Sequence, residues 1–291
     1  MTFDYAEFTQ RNIGFVSAAE QERLHNAKVL VIGVGGMGGA AVQALVRTGI
    51  GQFGVADLDT FELSNLNRQV FATLDTVDAD KAKATEAAMR RINPDVRIER
   101  YGADWVGRLD ALLPQYPVVI NGMDDIAAGI TLYRKAREHG ATVIDAYTSP
   151  LPSVTVVRPS APRPEERLGW PSRDLDPTNF NAALLAACFG CELEYVLVHS
   201  SSANHVDLDA ARDLMMGRRK RMSFAPMVIT TGNLMAFEAI KLILGRAESA
   251  DERGYFFNPW TLQVEHPRSA PVAWLRRLLV RRFLARMRDG A

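Results

Sequence analysis

Cysteine and histidine are scarce in this sequence, with two cysteines and five histidines among 291 residues. Two cysteines exclude a disulfide framework and are typical of a protein in a reducing compartment. No two histidines have a metal-site spacing such as HxxxH or HExxH. The histidines are therefore expected to be structural or to lie on the surface.

A net charge of either sign is also missing, because 34 Lys and Arg residues balance 34 Asp and Glu residues. Neutrality excludes a generally basic nucleic-acid coat and an acidic disordered tail. The N-terminal segment MTFDYAEFTQRN lacks a basic start followed by an apolar core, so no signal peptide is predicted. Glycines interrupt the long apolar stretch 29–46, which favours a strand, a loop and a helix over a membrane span. We expect a soluble, cytoplasmic protein.

Apolar, β-branched runs alternate with helical segments in the first half of the chain. Strands are predicted at 28–32, 52–57, 96–101, 116–122 and 141–147, and helices at 40–49, 81–92 and 127–139. Such alternation predicts an α/β fold with a doubly wound, Rossmann-like, mainly parallel sheet and helices on both faces. The later part of the chain is expected to extend this sheet.

A glycine-rich loop, GVGGMGG (33–39), follows the first predicted strand. Gly33 and Gly35 would permit the tight turn, and Gly36 and Gly38 would let backbone N–H groups approach a phosphate at a helix N-terminus. Asp57, after the second strand, is placed to bind ribose hydroxyls. Alone, this pattern predicts a nucleotide-binding fold. A tight turn that binds no ligand is the alternative interpretation of the same glycines.

Further polar residues follow strands or lie in connecting loops, at the sheet edge where ligands bind. Arg68 and Lys81 could neutralise charge on a transferring phosphoryl group, and Asp124 could hold Mg²⁺. A nicotinamide dehydrogenase needs one acidic residue here and no cationic cluster. Each charge taken singly could be a solvated loop residue, whereas the ordered set favours phosphoryl chemistry. The set is Asp57, Asp59, Asn65, Arg68, Gln69, Lys81 and Asp124.

These residues resemble those of the ThiF/HesA/MoeB-type family, relatives of the ubiquitin-activating enzymes. The resemblance covers roughly residues 10–150 and 225–245. It is carried by GVGGMGG (33–39), DLDTFELSNLNRQ (57–69), Lys81, Asn93-Pro94, the pair Asp124-Asp125, and the late segment GNLMAFEAIKLILG (232–245).

The resemblance implies ATP- and Mg²⁺-dependent adenylation of a carboxylate. The substrate would be the C-terminus of a ubiquitin-like small protein or a peptide, for later transfer to sulfur or nitrogen. The implied catalytic residues are Arg68, Lys81 and Asp124, with Asp124 as the Mg²⁺ ligand. Asp125 stands where many relatives have Asn. The implied ATP-binding residues are Gly33, Gly35, Gly36, Gly38, Asp57, Asp59, Ser64, Asn65, Arg68, Gln69, Lys81, Asp124 and Asp125.

The resemblance also implies a homodimer in which Arg11 reaches the partner's ATP site, and a surface arginine is the alternative. Many relatives bind a structural zinc through two CxxC pairs. This chain has one pair, Cys188 and Cys191, which excludes a four-cysteine site within one chain. Three interpretations of this cysteine pair remain open: buried small residues, a redox pair, or a thiol that accepts the activated substrate.

The chain is interpreted as one adenylating domain, residues 1–269, with a divergent substrate or crossover segment at 150–225. Its basic run GRRKR (217–221) could attract a carboxylate-bearing partner. Residues 270–291 are predicted to form a basic amphipathic helix. That helix could contact anionic lipid or an acidic partner, or dock on its own domain or a dimer mate.

Alternative functions remain open at this stage. They are adenylation of a small molecule or a modified tRNA base, a catalytically silent nucleotide-binding module, and an NAD-dependent oxidoreductase. Neutral charge argues against tRNA and bulk nucleic-acid binding, and the cationic set argues against the oxidoreductase.

Overall fold

The computed structural model describes residues 2–289, which form one mixed sheet with helices on both faces. The strands are β1 (Lys28–Ile32), β2 (Gln52–Ala56), β3 (Arg97–Tyr101), β4 (Val118–Asn121), β5 (Thr142–Asp145), β6 (Ser153–Val157), β7 (Tyr255–Asn258) and β8 (Gln263–Glu265). The helices are α1 (Tyr5–Thr9), α2 (Ala18–Asn26), α3 (Gly36–Thr48), α4 (Lys81–Ile92), α5 (Leu109–Leu112), α6 (Ile126–Glu138), α7 (Pro164–Arg167), α8 (Ala182–His199), α9 (Leu208–Met215), α10 (Ala225–Leu244) and α11 (Ala270–Asp289).

The strand order is β3-β2-β1-β4-β5-β6-β7-β8. Strands β1 to β5 pair in parallel, and β6, β7 and β8 add an antiparallel extension beside β5. This arrangement confirms the predicted α/β fold, the mainly parallel sheet and its C-terminal extension. The order reverses at β1 and β4, and the ligand crevice of an open parallel sheet lies outside the carboxyl ends at such a point.

Two apolar cores bury the central strand β1 on both faces. Val29 and Val31 join the core beneath α3 and α10, whereas Leu30 and Ile32 join the core beneath α5 and α6. Successive side chains of a strand point to opposite faces, so the continuous apolar run KVLVI suits a strand covered on both sides.

Helix α3 begins at Gly36, four residues before the predicted start at Ala40. The glycine run therefore supplies the first turn of the helix and not only the loop before it. A Cβ atom at Gly38 would lie 1.9 Å from the carbonyl oxygen of Gly33. At the neighbouring helix α10, a Cβ at Gly232 would lie 2.4 Å from the carbonyl oxygen of Met37. Close backbone packing explains why small residues occupy this region.

The terminal helix α11 docks against α8 of its own chain. Ala273 and Met287 are buried, and Arg276 donates to the carbonyl oxygens of Leu197 and Ser200. Backbone carbonyls and a carboxylate on α8 pair with arginines of α11. The large apolar side chains of α11 that stay exposed are Val272, Trp274, Leu275, Leu278 and Leu279. The side chains of residues 288–291 lie outside the described part.

Two helices, α8 and α10, are long and apolar enough to cross a membrane by length and composition alone. The core helix of a soluble protein passes the same test. Helix α10 packs Met235, Ala236 and Ala239 into the core shared with β1.

The proline-rich segment 158–179 contains the short helix α7 and is held against α6 by ion pairs. Glu165, 1% exposed, accepts from Arg134 at 2.8 Å and lies 3.2 Å from Arg163. Arg134 also donates to the carbonyl oxygens of Ser172, Arg173 and Leu175. One guanidinium therefore holds most of this segment in place.

Replacing Arg134 by Met is expected to lower the free energy of unfolding by about 3 kcal/mol, because it leaves a buried carboxylate without its main partner. Urea denaturation measures the change. Arg100→Met is the matched control, since Arg100 pairs with Glu86 at the surface, where such pairs contribute about 0–1 kcal/mol. Equal losses in the two variants would contradict this assignment.

Candidate functional site

A cavity of about 800 Å³ opens at the carboxyl ends of β1, β2 and β4. This size is typical of ligand sites, which span about 300–1,000 Å³. The loop after β1 supplies glycines, and the segments after β2 and β4 supply carboxylates. Most of the predicted ATP-binding residues line it: Gly33, Gly35, Gly36, Asp57, Asp59, Arg68, Gln69, Lys81, Asp124 and Asp125.

The glycine loop leaves the N-terminus of α3 open to the cavity. Gly33 has a φ of 83°, a conformation that favours glycine, and its Cβ would lie 2.7 Å from the carbonyl carbon of Gly122. Gly35 is the N-cap residue of α3, and no side chain caps this 13-residue helix among the described residues. Uncapped N–H groups and the helix dipole suit a phosphate at this position.

Asp57 is held in place by backbone donors. Its two carboxylate oxygens accept from the N–H groups of Val34 at 2.8 Å and Asp59 at 3.0 Å. Burial raises the pKa of Asp57, and these two hydrogen bonds oppose the shift. The carboxylate is therefore rigid at the end of β2, where ribose hydroxyls are bound in folds of this class.

Both predicted cations, Arg68 and Lys81, line the cavity. Lys81, 7% exposed, donates through Nζ to Asp59 Oδ2 at 2.8 Å. Arg68 donates from Nη1 to the carbonyl oxygen of Ser64 at 2.9 Å. Beside them Gln69 is buried, and its Oε1 atom has no hydrogen-bond partner within residues 2–289. A bound ligand with a donor group would satisfy that oxygen.

The two adjacent carboxylates after β4 differ in their surroundings. Asp125 caps helix α6 by accepting from the N–H of Ala128 at 3.0 Å. Asp124 makes no hydrogen bond or ion pair with any residue that the structure describes, and it is exposed in the cavity. Mg²⁺ is usually bound by one or two carboxylates together with phosphate oxygens. Asp124 therefore fits a Mg²⁺ ligand, whereas Asp125 has a structural role.

Four predicted site residues do not line the cavity. Gly38 is buried against the loop backbone. Asn65 is 6% exposed, and its Oδ1 accepts from the N–H of Glu62. Ser64 donates to Glu62 at 3.0 Å. Arg11 is exposed on a short 3-10 helix, Gln10–Asn12, and lies outside the cavity of its own chain. Asn65 and Ser64 thus shape the turn that presents Arg68.

The crossover segment adds cavity residues that the motifs did not specify. Arg219 and Arg221, from the basic run 217–221, line the cavity, and Asn67 Nδ2 donates to the carbonyl oxygen of Ser223 at 3.0 Å. Burial lowers the pKa of Arg221, and the nearby carboxylates of Asp124 and Glu192 oppose the shift. The basic run in the sequence indicated that this segment could bind a carboxylate. The sequence alone did not identify which of its arginines line the cavity.

The CxxC pair, Cys188 and Cys191, lies on α8. Cys188 is buried and donates to Ser172 Oγ at 3.4 Å. Burial raises the pKa of Cys191, which disfavours a reactive thiolate.

Asp110, Glu138 and His139 form a cluster of potential metal ligands away from this helix. Lys135 Nζ lies 2.9 Å from Asp110 and 3.0 Å from Glu138, so a lysine already pairs with both carboxylates.

A second, smaller cavity of about 70 Å³ adjoins the first, with which it shares Met123, Asp124, Asp125 and Tyr147. We call it the side pocket. Its polar lining comes from Asn121, Tyr133, Asp145, Arg167, Trp170 and Glu192. Asp145 Oδ2 accepts from Tyr133 at 2.6 Å and from Asn121 at 2.8 Å. Burial raises the pKa of Asp145 to about 7.

This shift predicts a pH dependence of stability. Folded Asp145 retains a proton that the unfolded chain releases, so stability falls as the pH rises from about 4 to about 7. Asp145→Asn should reduce the loss of unfolding free energy between pH 5 and pH 8, measured by urea denaturation. Asp110→Asn is the control, because the pKa of exposed Asp110 is lowered by His139 and Lys135. An unchanged pH dependence in Asp145→Asn would contradict the shift.

A model of the ThiF family matches residues 9–272 of the chain. The chain is 39% identical over 107 residues to the sulfur carrier protein adenylyltransferase of Thermus thermophilus, and 37% identical over 110 residues to the molybdopterin-synthase adenylyltransferase of Escherichia coli. These alignments cover 36% and 37% of this chain, and 39% and 43% of the relatives. The chain thus spans less than half the length of the curated relatives that it matches.

Among solved structures, the chain is similar to a crystal structure of Escherichia coli MccB with AMPCPP and MccA. The TM-score is 0.63 at 18% identity, and the match covers 93% of this chain and 75% of that one. At this identity the likeness shows a shared fold.

Proposed function

Since the chain belongs to the ThiF family, we propose that its main cavity binds ATP with Mg²⁺ and transfers AMP to a carboxylate. The observation that carries this proposal is one cavity lined both by Arg68, Lys81 and Asp124 and by Gly35 and Gly36 at the uncapped N-terminus of α3. The matched relatives named above are adenylyltransferases, which supports the same reaction class.

The proposed reaction is a substitution at phosphorus. A carboxylate oxygen of the substrate attacks the α-phosphorus of ATP, the bond from that phosphorus to the oxygen bridging to the β-phosphorus breaks, and pyrophosphate leaves. Arg68 and Lys81 would stabilise charge on the phosphoryl oxygens, and Asp57 would hold the ribose. Such reactions depend on positioning and electrostatic stabilisation, and no protein nucleophile is needed.

Asp124 would hold Mg²⁺, which would neutralise charge on the phosphates. Gly33, Gly35 and Gly36 would bring backbone N–H groups to the phosphates, with Asp59 and Gln69 completing the nucleotide contacts. For Gly38, Ser64 and Asn65 we now propose indirect roles, because their contacts in the fold position the loop and the turn.

The proposed substrate is the C-terminus of a small protein or peptide. Two matched relatives are named for a sulfur carrier protein and for molybdopterin synthase, and the structure of MccB contains MccA. In this chain Arg219 and Arg221 of the crossover segment face the cavity, and two guanidinium groups there suit a carboxylate-bearing tail.

We further propose a cytoplasmic homodimer in which Arg11 contacts the partner's ATP site. Its exposure, away from the cavity of its own chain, leaves the side chain accessible to a second copy. Arg11→Ala would then lower AMP transfer without changing the folded structure of the chain.

Isothermal titration with ATP–Mg²⁺ and, separately, with NAD tests the proposed nucleotide. We expect ATP to bind, and we expect the Asp57→Ala variant to bind ATP more weakly. NAD should give no measurable heat. NAD binding without ATP binding would favour an oxidoreductase and contradict the proposal. ATP binding without AMP transfer to any carboxylate would favour a silent module.

A further inference from the structure

We propose that the outer face of helix α11 binds the surface of a bilayer that contains anionic phospholipid. Binding there would hold the enzyme at a membrane and would be independent of the reaction proposed for the main cavity. The outer face consists of the exposed side chains of Val272, Trp274, Leu275, Leu278, Leu279, Arg281, Arg282 and Arg286.

Polar contacts hold the inner side of α11 against its own chain. Arg276 donates to the carbonyl oxygens of Leu197 and Ser200 at 3.0 and 3.1 Å, and Arg277 lies 2.9 Å from Glu194. Surface helices usually turn their large apolar side chains toward the core. Here guanidinium groups take part in the inner contact, and this rotation of the helix leaves large apolar side chains outside.

These apolar side chains occupy the first half of the outer face. Trp274 is 63% exposed, and Leu275 and Leu279 are each more than half exposed. At 3.6 residues per turn, positions 272, 275 and 279 follow one line along the helix, and positions 274 and 278 follow the neighbouring line. The side chains therefore form a convex apolar strip, and exposed apolar surface of this kind marks a contact with a partner or a membrane.

The charge beside the strip is entirely basic. Arg281, Arg282 and Arg286 are exposed on the following turns, and residues 270–288 contain six arginines and no acidic residue. Tryptophan and leucine next to arginine are typical of helices that lie in the interface of a bilayer. With six arginines, α11 is too highly charged to cross a bilayer and would lie along its surface.

Lipid is the partner that this combination fits best. Guanidinium groups pair with phosphate oxygens of the headgroups, and the apolar strip enters the boundary of the acyl chains. The cytoplasmic leaflet carries anionic lipid, which agrees with the proposed cytoplasmic location. A second copy docked through the same face would bring six exposed arginines together without a carboxylate between positions 270 and 288, and like charges oppose such a contact.

Co-sedimentation of the full chain with vesicles tests the assignment. One kind of vesicle is pure phosphatidylcholine, and the other is a two-to-one mixture of phosphatidylcholine and phosphatidylglycerol. We expect the partition coefficient to be at least about tenfold higher on the anionic vesicles, since each arginine near such a surface contributes about fivefold. Salt at about 1 M should remove most of this preference, because the Debye length falls to about 3 Å.

A variant with both Arg282→Gln and Arg286→Gln tests the electrostatic part. Its binding to anionic vesicles should fall by about 20-fold. Arg91→Gln is the matched control, because Arg91 is exposed on α4, and it should bind as the wild type does.

A variant with both Trp274→Ser and Leu278→Ser tests the apolar part. Its binding should fall by at least about tenfold, whereas Leu74→Ser, which changes an exposed leucine elsewhere, should have no effect. Anionic vesicles should also shift the tryptophan emission to shorter wavelength. Trp274→Phe should lose the shift and keep most of the binding, and Trp260→Phe should keep both.

Equal binding to the two kinds of vesicle, or binding to neither, would overturn the inference. Full vesicle binding by the Trp274→Ser, Leu278→Ser variant would overturn it as well. Size-exclusion chromatography with light scattering tests the second copy as the occupant. An oligomer that this variant dissociates, without vesicle binding by the wild type, would make the outer face an interface between copies and refute the lipid assignment. Thermal unfolding of every variant should match the wild type, because the changed side chains are exposed.

Discussion

Arg68→Ala and Lys81→Ala are each expected to lower ATP–pyrophosphate exchange by about 10²–10³-fold, the usual cost of removing one preorganised group that stabilises developing charge. Both side chains line the main cavity beside the uncapped end of α3. In a site partly closed to water, a fixed cation stabilises phosphoryl charge more than it would in bulk solvent.

The loss should be catalytic and not structural. Lys81 pairs with Asp59, whose side chain is 72% exposed, so water can solvate that carboxylate when the lysine is removed. The substrate for the exchange assay is the peptide or N-acetyl amino acid that supports the highest wild-type rate. Thermal unfolding of each variant accompanies the assay and is expected to change little.

Two matched controls lie on α4, the helix that begins with Lys81. Lys83, on the exposed side of α4, and Arg91, near its end, are solvent-exposed, and their alanine variants should retain wild-type exchange. Full exchange activity in both Arg68→Ala and Lys81→Ala would refute the proposed site.

Gly38→Ala is expected to have the largest effect on folding. The new Cβ would lie 1.9 Å from the carbonyl oxygen of Gly33 and 3.0 Å from its carbonyl carbon. Both atoms belong to the backbone of the loop after β1, so no side chain can move aside. We expect a loss of more than about 4 kcal/mol of unfolding free energy, seen as a low yield of soluble protein or a large fall in melting temperature.

Gly190→Ala is the matched control for this substitution. Gly190 lies inside helix α8, and its Cβ would meet no described atom within 4 Å. Because alanine favours helix more than glycine, the control should gain about 0.5–1 kcal/mol. A wild-type melting temperature for Gly38→Ala would show that the loop and α3 are not packed as described.

The parallel part of the fold could be predicted because its signals are local. The buried run KVLVI at 28–32 matches β1, and the periodic segment that begins after Asp80 matches α4, Lys81–Ile92. The start of α3 could not be predicted, because glycine disfavours helix. The glycines within 36–39 are helical here because they pack closely against Gly33 and against α10. Strand β7 pairs with β6 from about a hundred residues away, and β8 then pairs with β7, so no pattern near β6 marks this extension.

The main cavity was largely predictable for a similar reason. Residues after parallel strands gather at one sheet edge, and this brought Asp57, Lys81 and Asp124 together. The side pocket was not predictable, because Asp145, Arg167 and Glu192 come from separate elements and carry no shared motif. The arginine contacts that dock α11 on α8 were not predictable either, because their partners, Glu194 and the backbone carbonyl oxygen of Leu197, lie on a distant helix.

Product analysis tests the central claim most directly. The full chain is incubated with ATP, Mg²⁺, a pool of short peptides with free C-termini, and hydroxylamine, which traps an activated carboxylate as a hydroxamate. Adenylation of a carboxylate predicts AMP, pyrophosphate and peptide hydroxamate in equal amounts, all lost in Lys81→Ala. ADP and inorganic phosphate as the products, or no ATP turnover by a protein that binds NAD, would contradict the proposal.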